Sequence, residues 1–507
     1  MRKQLRRAVT ATLATVLAST GLAAVAAPAQ AAPIGDHVIF WNNVLLKTYR
    51  TAGGAPGPLA RSGAMMHNAM FNAVNAINCN RTGSYDDFNC LAIDYTGGVP
   101  ITNWANPDVE TAIDYAAQTV LSSLYPAISF SADLAAAQDG IAVDASQQQG
   151  RSVGVKAGQN MVASRDGNLD RSTHNTTYTL VNQPGFWRPT GSGNAATPGW
   201  GQVVPFSRFT ESYKLSSLRP ALPGGYSTMP SLLASSAYAT QVNEVKSLGR
   251  ATGSTRTSEQ TQIAWYWAND LDGTYKPPGQ HFAHTQVVSA GRGLDQMANL
   301  RLFALVSAAM ADAAIVAWDA KYLTAIDLWR PESAIQLAGT DNNAATTADT
   351  AWKPLSADRN GVNFSPAFPA WISGHATFGG AWAKSMERYF GTDAITFTGG
   401  TEDPHAVGVT RTFTSFSAAA QEDARSRIYL GVHYSWDGTQ GNAAGAKVGD
   451  YVANKLFQKV INGGGFSSAQ TCDETGDDAV YANKIYSAYS CRQNSATSWT
   501  LIYYPWP

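Results

Sequence analysis

The chain is short of charge. Only 14% of its 507 residues are Asp, Glu, Lys or Arg, where soluble domains average about 25%, so its polar surface must come from Ser, Thr, Asn, Gln and Gly. An excess of either sign is missing as well. Lys+Arg is 36 and Asp+Glu is 37, a net charge of -1, which leaves no basic stripe to read as a nucleic-acid footprint. Cysteine is scarce, with four in the chain, and that excludes a disulfide-scaffold fold. Neither close pair, Cys79 with Cys90 or Cys472 with Cys491, has the CxxC spacing of a zinc or redox site. Two structural disulfides in an oxidising compartment account for them better; of the connectivities open to them, the local one (79–90 and 472–491) closes short loops. Period-two strand patterns are few, and no fixed-period repeat occurs. Disorder is excluded too, because 44% of the residues are hydrophobic and the net charge is low.

What the chain does have begins at its N-terminus. Arg2, Lys3, Arg6 and Arg7 precede an uncharged run from Ala8 to Ala27, and Ala29-Gln30-Ala31 supplies a small-x-small pattern. That order reads as a secretory signal over 1–31, so the mature protein is expected to be secreted; a retained N-terminal anchor is the competing reading. Beyond it, no run of about 18 apolar residues offers a membrane span.

Apolar residues at three- and four-residue spacing predict helices over roughly 36–49, 58–77, 107–124, 131–164, 231–248, 258–268, 283–322, 376–390, 417–430 and 441–461. A stretch from about 166 to 230 is rich in Gly, Pro, Ser, Thr and Asn; long uncovered segments of this kind tend to be functional or poorly ordered. The expected fold is mostly α, two packed helical bundles with a Gly/Pro-rich irregular middle. The expected division is 32–230 for an N-terminal helical region plus the irregular segment, 231–462 for a helical catalytic region, and 463–507 for a disulfide-closed tail.

Three stretches combine cations, a helix start and histidines. Trp318-Asp319-Ala320-Lys321 is followed by Arg330-Pro331; Phe368 leads to Ser373-Gly374-His375; and Ser426-Arg427 leads to His433. This set suits a tetrahedral oxyanion. Guanidinium groups grip its oxygens with charge-assisted bonds, and a lysine adds a point charge. Ser373 stands where an N-cap belongs, and Gly374 lets backbone approach an anion over the positive helix end. Two imidazoles offer a nucleophile or ligand and a proton donor. Lys321 and Arg330 would fall on opposite faces of one unbroken helix. The residue before a proline avoids the α conformation, however, so the helix should end before Arg330. Gly431 should likewise end the helix between Arg427 and His433.

The same three stretches resemble the vanadium-dependent haloperoxidases and the related acid phosphatases of the phosphatidic-acid-phosphatase type 2 superfamily. The shared signature is a lysine before Arg-Pro, then Ser-Gly-His, then Ser-Arg-x5-His. FWNNVLLKTYR and ARSGAMMHNAMFNAVNAI near the N-terminus, with LRLFALVSAAMADAAIVAWDAKY before LWRP, also look like bacterial vanadium haloperoxidase sequences. Two departures stand out: the lysine-to-arginine spacing is nine rather than seven or eight, and Ile372 replaces a frequent proline. The resemblance implies the vanadium haloperoxidase/acid phosphatase fold and a vanadate cofactor. Lys321, Arg330 and Arg427 would hold its equatorial oxygens, with Ser373 and the Gly374 N–H adding hydrogen bonds. His433 would be the axial vanadium ligand and His375 the acid–base group, while Trp318 and Phe368 fall where halide-pocket aromatics stand.

The implied function is oxidation of halide by hydrogen peroxide to a hypohalous species that halogenates a small organic acceptor. The alternative is a secreted acid phosphatase, with a phosphohistidine at His433 and His375 protonating the leaving group. A third reading is a binding protein that keeps the pocket without turnover.

Blander readings stand beside these. Arg330 and Arg427 could form surface ion pairs with Glu332 and Asp423, and His433 could be a core histidine. Trp318 and Phe368 read more readily as core aromatics than as halide contacts. His67 reads as structural. His281 and His284 lack a third metal ligand and read as a loop or helix start, and His405 could line a cleft. Either Asp270 or Asp272 could back one of the arginines.

Overall fold

The computed structural model describes residues 34–82, 106–166, 176–191, 193–207, 215–456, 461–468, 470–472, 488–495 and 498–504. The expected signal at 1–31 and Cys90 lie outside these, as do the side chains of Cys79 and Cys491; Cys472 is buried.

The periodic segments are helices, with ends set by identifiable caps. α1 (His37–Ala52) starts at Asp36, whose carboxylate accepts from the Val38 and Ile39 amides. α2 (Pro56–Thr82), α3 (Val109–Leu124), α4 (Ser131–Ala137) and α5 (Ala145–Asp166) follow. The pattern over 131–164 is thus two helices rather than one, divided near Gly140, which turns with φ 85°. Gly150, Gly154 and Gly158 let α5 lie against α3: a Cβ at Gly154 would stand 2.4 Å from the Ala112 carbonyl oxygen.

Farther along come α6 (Met229–Leu233), α7 (Ser236–Leu248), α8 (Ser258–Tyr266), α9 (Lys276–Arg292), α10 (Gln296–Tyr322), α11 (Pro331–Gln336), α12 (Gly374–Phe390), α13 (Phe416–Tyr429) and α14 (Ser435–Leu456). The single pattern expected over 283–322 is broken as well. Gly293 takes a left-handed C-cap after α9, and Asp295 caps α10. Strands are minor. β1 (Phe397–Gly400) pairs with β2 (Thr410–Phe413), and β3 (Ile461–Phe466), β4 (Ala488–Ser495) and β5 (Ser498–Tyr504) form an antiparallel sheet in the order β3-β5-β4. Residue 461, expected to close the last helix, instead opens β3.

α10 is the central element, packing against α2 of the N-terminal helices and against α12 and α14. By length and hydropathy it would suffice to cross a membrane, contrary to the sequence expectation, but 94% of its most apolar window is buried inside the protein. A helix apolar all round is a core helix. Its fully buried Asp312 ties down the irregular middle, accepting from the Phe206 and Ser207 amides at 2.7 and 3.0 Å. That segment also bonds to the chain just before Arg330, through Trp187 N–H to the Asp327 carbonyl (2.7 Å) and Trp329 N–H to the Gly185 carbonyl (2.8 Å).

α12 and α14 meet at backbone distance. A Cβ at Gly445 would stand 2.0 Å from the Thr377 carbonyl oxygen, and one at Gly441 2.8 Å from that of Ser373. Absence of side chains here brings the first turn of α14 onto the start of α12, where Ser373 N–H donates to the Asp437 carbonyl at 3.0 Å.

His67 is structural, as expected. Its ring lies between Phe282 and Phe303, at centroid distances of 5.4 and 5.0 Å, and both ring nitrogens are buried without a partner. Burial pushes its pKa down to about 3. An unfolded histidine titrates near ~6.5, so between these values the unfolded chain binds a proton that the folded one refuses. Stability should therefore be lost as the pH falls through this window, by about 1.4 kcal/mol per pH unit from this residue. Urea unfolding of His67→Met between about pH 6 and 4 should show a slope shallower by that amount, with His284, also pushed to about 3, still contributing. An unchanged slope would mean that His67 is protonated within the fold.

Candidate active site

The three stretches converge. α10 ends at Tyr322, so Lys321 lies in its last turn, and Arg330 has the extended backbone (φ -71°, ψ 155°) that Pro331 demands. The break between them points both side chains at one wall. Lys321 is fully buried and donates to the carbonyls of Pro369 (2.8 Å) and Ile372 (2.5 Å), with Ala370 at 3.4 Å. The nine-residue spacing therefore still delivers the ammonium to the segment that leads into Ser373.

Arg330 is also fully buried. Its Nε donates to the Phe368 carbonyl and its Nη1 to that of Val432, both at 2.7 Å. Nη1 is also 3.0 Å from His433 Nε2. Arg427, in the last turn of α13, donates from Nη2 to Asp270 Oδ2 at 2.8 Å and from Nη1 to the Trp267 carbonyl at 3.4 Å. The surface ion pairs weighed for these arginines do not form: Glu332 pairs with Lys353 and Asp423 lies near His281. Between Asp270 and Asp272 the structure chooses Asp270, since Asp272 is largely exposed and pairs with Lys276.

Ser373 caps α12, its hydroxyl accepting from the Ala376 amide at 3.3 Å. The first-turn amides of Gly374 and His375 have no intrahelical acceptor. Gly374 is fixed by crowding rather than by its dihedrals, because a Cβ there would stand 3.3 Å from the Trp318 ring. His375 donates from Nε2 to the Ala268 carbonyl at 3.0 Å, with Asp270 Oδ1 at 3.7 Å. A carbonyl only accepts, so Nε2 carries hydrogen and Nδ1 is the nitrogen left to take or give a proton. Burial and then the Arg427 charge push the His375 pKa down, with Asp270 and Asp423 opposing. For Asp270, burial alone would raise the carboxyl; the charges of His375 and Arg427 outweigh it and hold it below the usual range.

Gly431, at φ 82°, turns the chain after α13 and delivers His433, as its position predicted. His433 Nδ1 lies 2.9 Å from Asp437 Oδ2, the oxygen that also accepts from the Tyr434 amide at 3.1 Å. Arg330 Nη1 can only donate, so His433 Nε2 accepts and its lone pair faces Arg330, leaving the ring proton on Nδ1 toward Asp437. Burial and the charges of Arg330, Lys321 and Arg427 push the His433 pKa well below its ordinary value, keeping the ring neutral. Burial raises Asp437 to about 7, against hydrogen bonding and the cations.

Asp437 is the residue that motif reading missed. Its signal was present, an aspartate four residues after the histidine at the start of a helix, where its side chain reaches back to the N-cap amide.

Two guanidinium nitrogens, Arg330 Nη2 and Arg427 Nε, are buried without a hydrogen-bond partner. Orphaned buried cationic donors are costly, and both belong to residues expected to grip an oxyanion. The donor set thus fits vanadate or phosphate: cationic N–H groups, a helix start, and one neutral imidazole lone pair.

Trp318 and Phe368 form part of the wall, their ring centroids 5.1 Å apart. Lys321 Nζ lies 4.9 Å and the Arg330 guanidinium carbon 4.7 Å from the Phe368 ring. His405 pairs with Asp403 at 3.0 Å and stacks on Trp265; Asp403 also accepts from the Asn269 amide, next to Asp270. His281 and His284 lie within α9 rather than in a loop, both buried, and no cluster of three or more metal-ligating side chains occurs among the described residues.

Known proteins share this fold. Residues 301–463 match the family described as the VCPO second helical-bundle domain. The vanadium chloroperoxidase of Curvularia inaequalis is 27% identical, covering 79% of each chain. A bacterial vanadium-dependent iodoperoxidase structure superposes with a TM-score of 0.67 at 24% identity, covering 84% of this chain and 98% of that one. A bacterial vanadium-dependent chloroperoxidase in its holo form gives 0.59 at 14% identity, covering 79% and 92%. The resemblance carried by the three sequence stretches therefore holds at the level of fold: the chain has the helical fold of the vanadium-dependent haloperoxidase structures, and residues 301–463 carry the VCPO second helical-bundle domain.

Proposed function

We propose that this protein is a vanadate-dependent haloperoxidase, oxidising halide with hydrogen peroxide to a hypohalous species that halogenates a small organic acceptor. The observation that carries this is the neutral His433 imidazole, its Nε2 lone pair turned toward Arg330 and its tautomer fixed by Asp437, in a pocket with two unpartnered guanidinium nitrogens. Lys321, Arg330 and Arg427, with Ser373 and the Gly374 amide, would hold the vanadate oxygens, and His433 would bind the vanadium through Nε2. When bound, vanadate supplies a Lewis acid that activates peroxide without changing its oxidation state.

The chain's own residues supply fixed charge and proton movement. The cations are already oriented by backbone carbonyls and Asp270, so little reorganisation is needed as negative charge develops. His375, anchored through Nε2, exchanges a proton at Nδ1. Trp318 and Phe368 give one wall a low-polarity face beside the cations, suited to a halide. Export through the N-terminal signal is part of the same proposal.

The same atoms would let His433 attack phosphorus, but the named relatives are haloperoxidases. The test is purified protein, with and without orthovanadate, assayed for bromide- or iodide- and peroxide-dependent halogenation and for release of nitrophenol from nitrophenyl phosphate. Vanadate-dependent halogenation is expected. Phosphate ester hydrolysis that vanadate inhibits, without halogenation, would overturn the proposal in favour of a phosphatase.

A further inference from the structure

One turn before Arg427 on α13 stands Asp423, fully buried, with neither carboxylate oxygen hydrogen-bonded. Facing it on α12 is Gly379, one turn after His375, where a Cβ would stand 2.9 Å from Asp423 Oδ2. The missing side chain makes room for the carboxylate. From α9, His281 places Nε2 3.6 Å from the same oxygen, and its Nδ1 is buried without a partner. His281 itself is held by stacking on Trp382, with ring centroids 5.4 Å apart.

A buried carboxylate with no donors is expensive for the fold, and packing alone would be served as well by an uncharged side chain. The titratable or charged groups near it are His281 on α9, His375 on α12 and Arg427 on its own helix. Its field also reaches His375, whose affinity for a proton it raises. Three cations converge on the pocket above, Lys321, Arg330 and Arg427. Asp270 pairs with Arg427 and Asp437 with His433. Asp423 is a third carboxylate, close enough to act on the pocket and bonded to none of the three cations.

We propose that Asp423, seated against Gly379 and beside His281, sets how tightly the pocket holds its oxyanion: its negative charge lowers the affinity that three cations would otherwise give. This rests on the oxyanion pocket described above and applies to tetrahedral oxyanions as a class, phosphate and vanadate alike.

The test is calorimetric titration of the full chain with inorganic phosphate and with orthovanadate at about pH 8, where His375 is neutral. Asp423→Asn and Asp423→Ser should each bind both anions more tightly, by about tenfold, the order of magnitude expected for removing one nearby unit charge from a partly screened interior. Asp423→Glu, which keeps the charge, should stay within about threefold of the unaltered chain. Damage to packing would weaken binding, so a gain separates the charge effect from a structural role. Unchanged or weaker binding in the folded Asn and Ser variants would overturn the proposal. If the unaltered chain binds neither anion, the pocket reading itself fails, a result distinct from equal binding by all variants.

Discussion

Replacing His433 with alanine should lower vanadate-dependent halogenation by about 10³-fold or more, while the chain stays folded. The His433 ring hydrogen-bonds only with Arg330 Nη1 and Asp437 Oδ2 among the described residues, and Asp437 keeps its bond from the Tyr434 amide without it. The loss should therefore be of chemistry rather than of structure. Asp437→Asn gives a graded companion. An asparagine amide could donate to Nδ1 and turn its proton to Nε2, removing the lone pair from the pocket, so activity should fall strongly although His433 remains. Full halogenation in His433→Ala would show that oxyanion chemistry occurs elsewhere on the chain.

Arg330→Ala should cost about 10²- to 10³-fold in affinity for vanadate or phosphate. Three separate consequences contribute. The unpartnered Nη2 is lost to the anion, the carbonyls of Phe368 and Val432 lose their donors, and His433 Nε2 loses the contact that orients it. Arg330→Lys separates charge from geometry. It restores a cation but not the planar fork, so it should recover only a minor part of the affinity. Equilibrium titration with vanadate reads both variants, and wild-type affinity in Arg330→Ala would contradict the assignment.

Much of this arrangement was legible in the residues. Helical periodicity located the main helices because each buries one face against a common core, and Arg330-Pro331 and Gly431 correctly announced the breaks that let distant side chains meet. Residues in contact through space rather than through a local pattern were harder to read. The choice of Asp270 over Asp272 depends on which of two neighbouring carboxylates faces Arg427, which spacing does not encode. The close approach of α12 and α14 depends on Gly441 and Gly445 facing particular carbonyls. The break at Gly293 was hidden because apolar spacing continues across it, and β3 was missed because Gly-rich 461–466 has no alternating pattern.

The central claim is that Lys321, Arg330, Ser373, Gly374, Arg427 and His433 form one site for a tetrahedral oxyanion. A crystal structure of the protein soaked with orthovanadate tests it most directly. The anion should lie against His433 Nε2, with its oxygens taking up Arg330 Nη2 and Arg427 Nε. Vanadate bound at another surface, with those two nitrogens still unpartnered, would contradict the account.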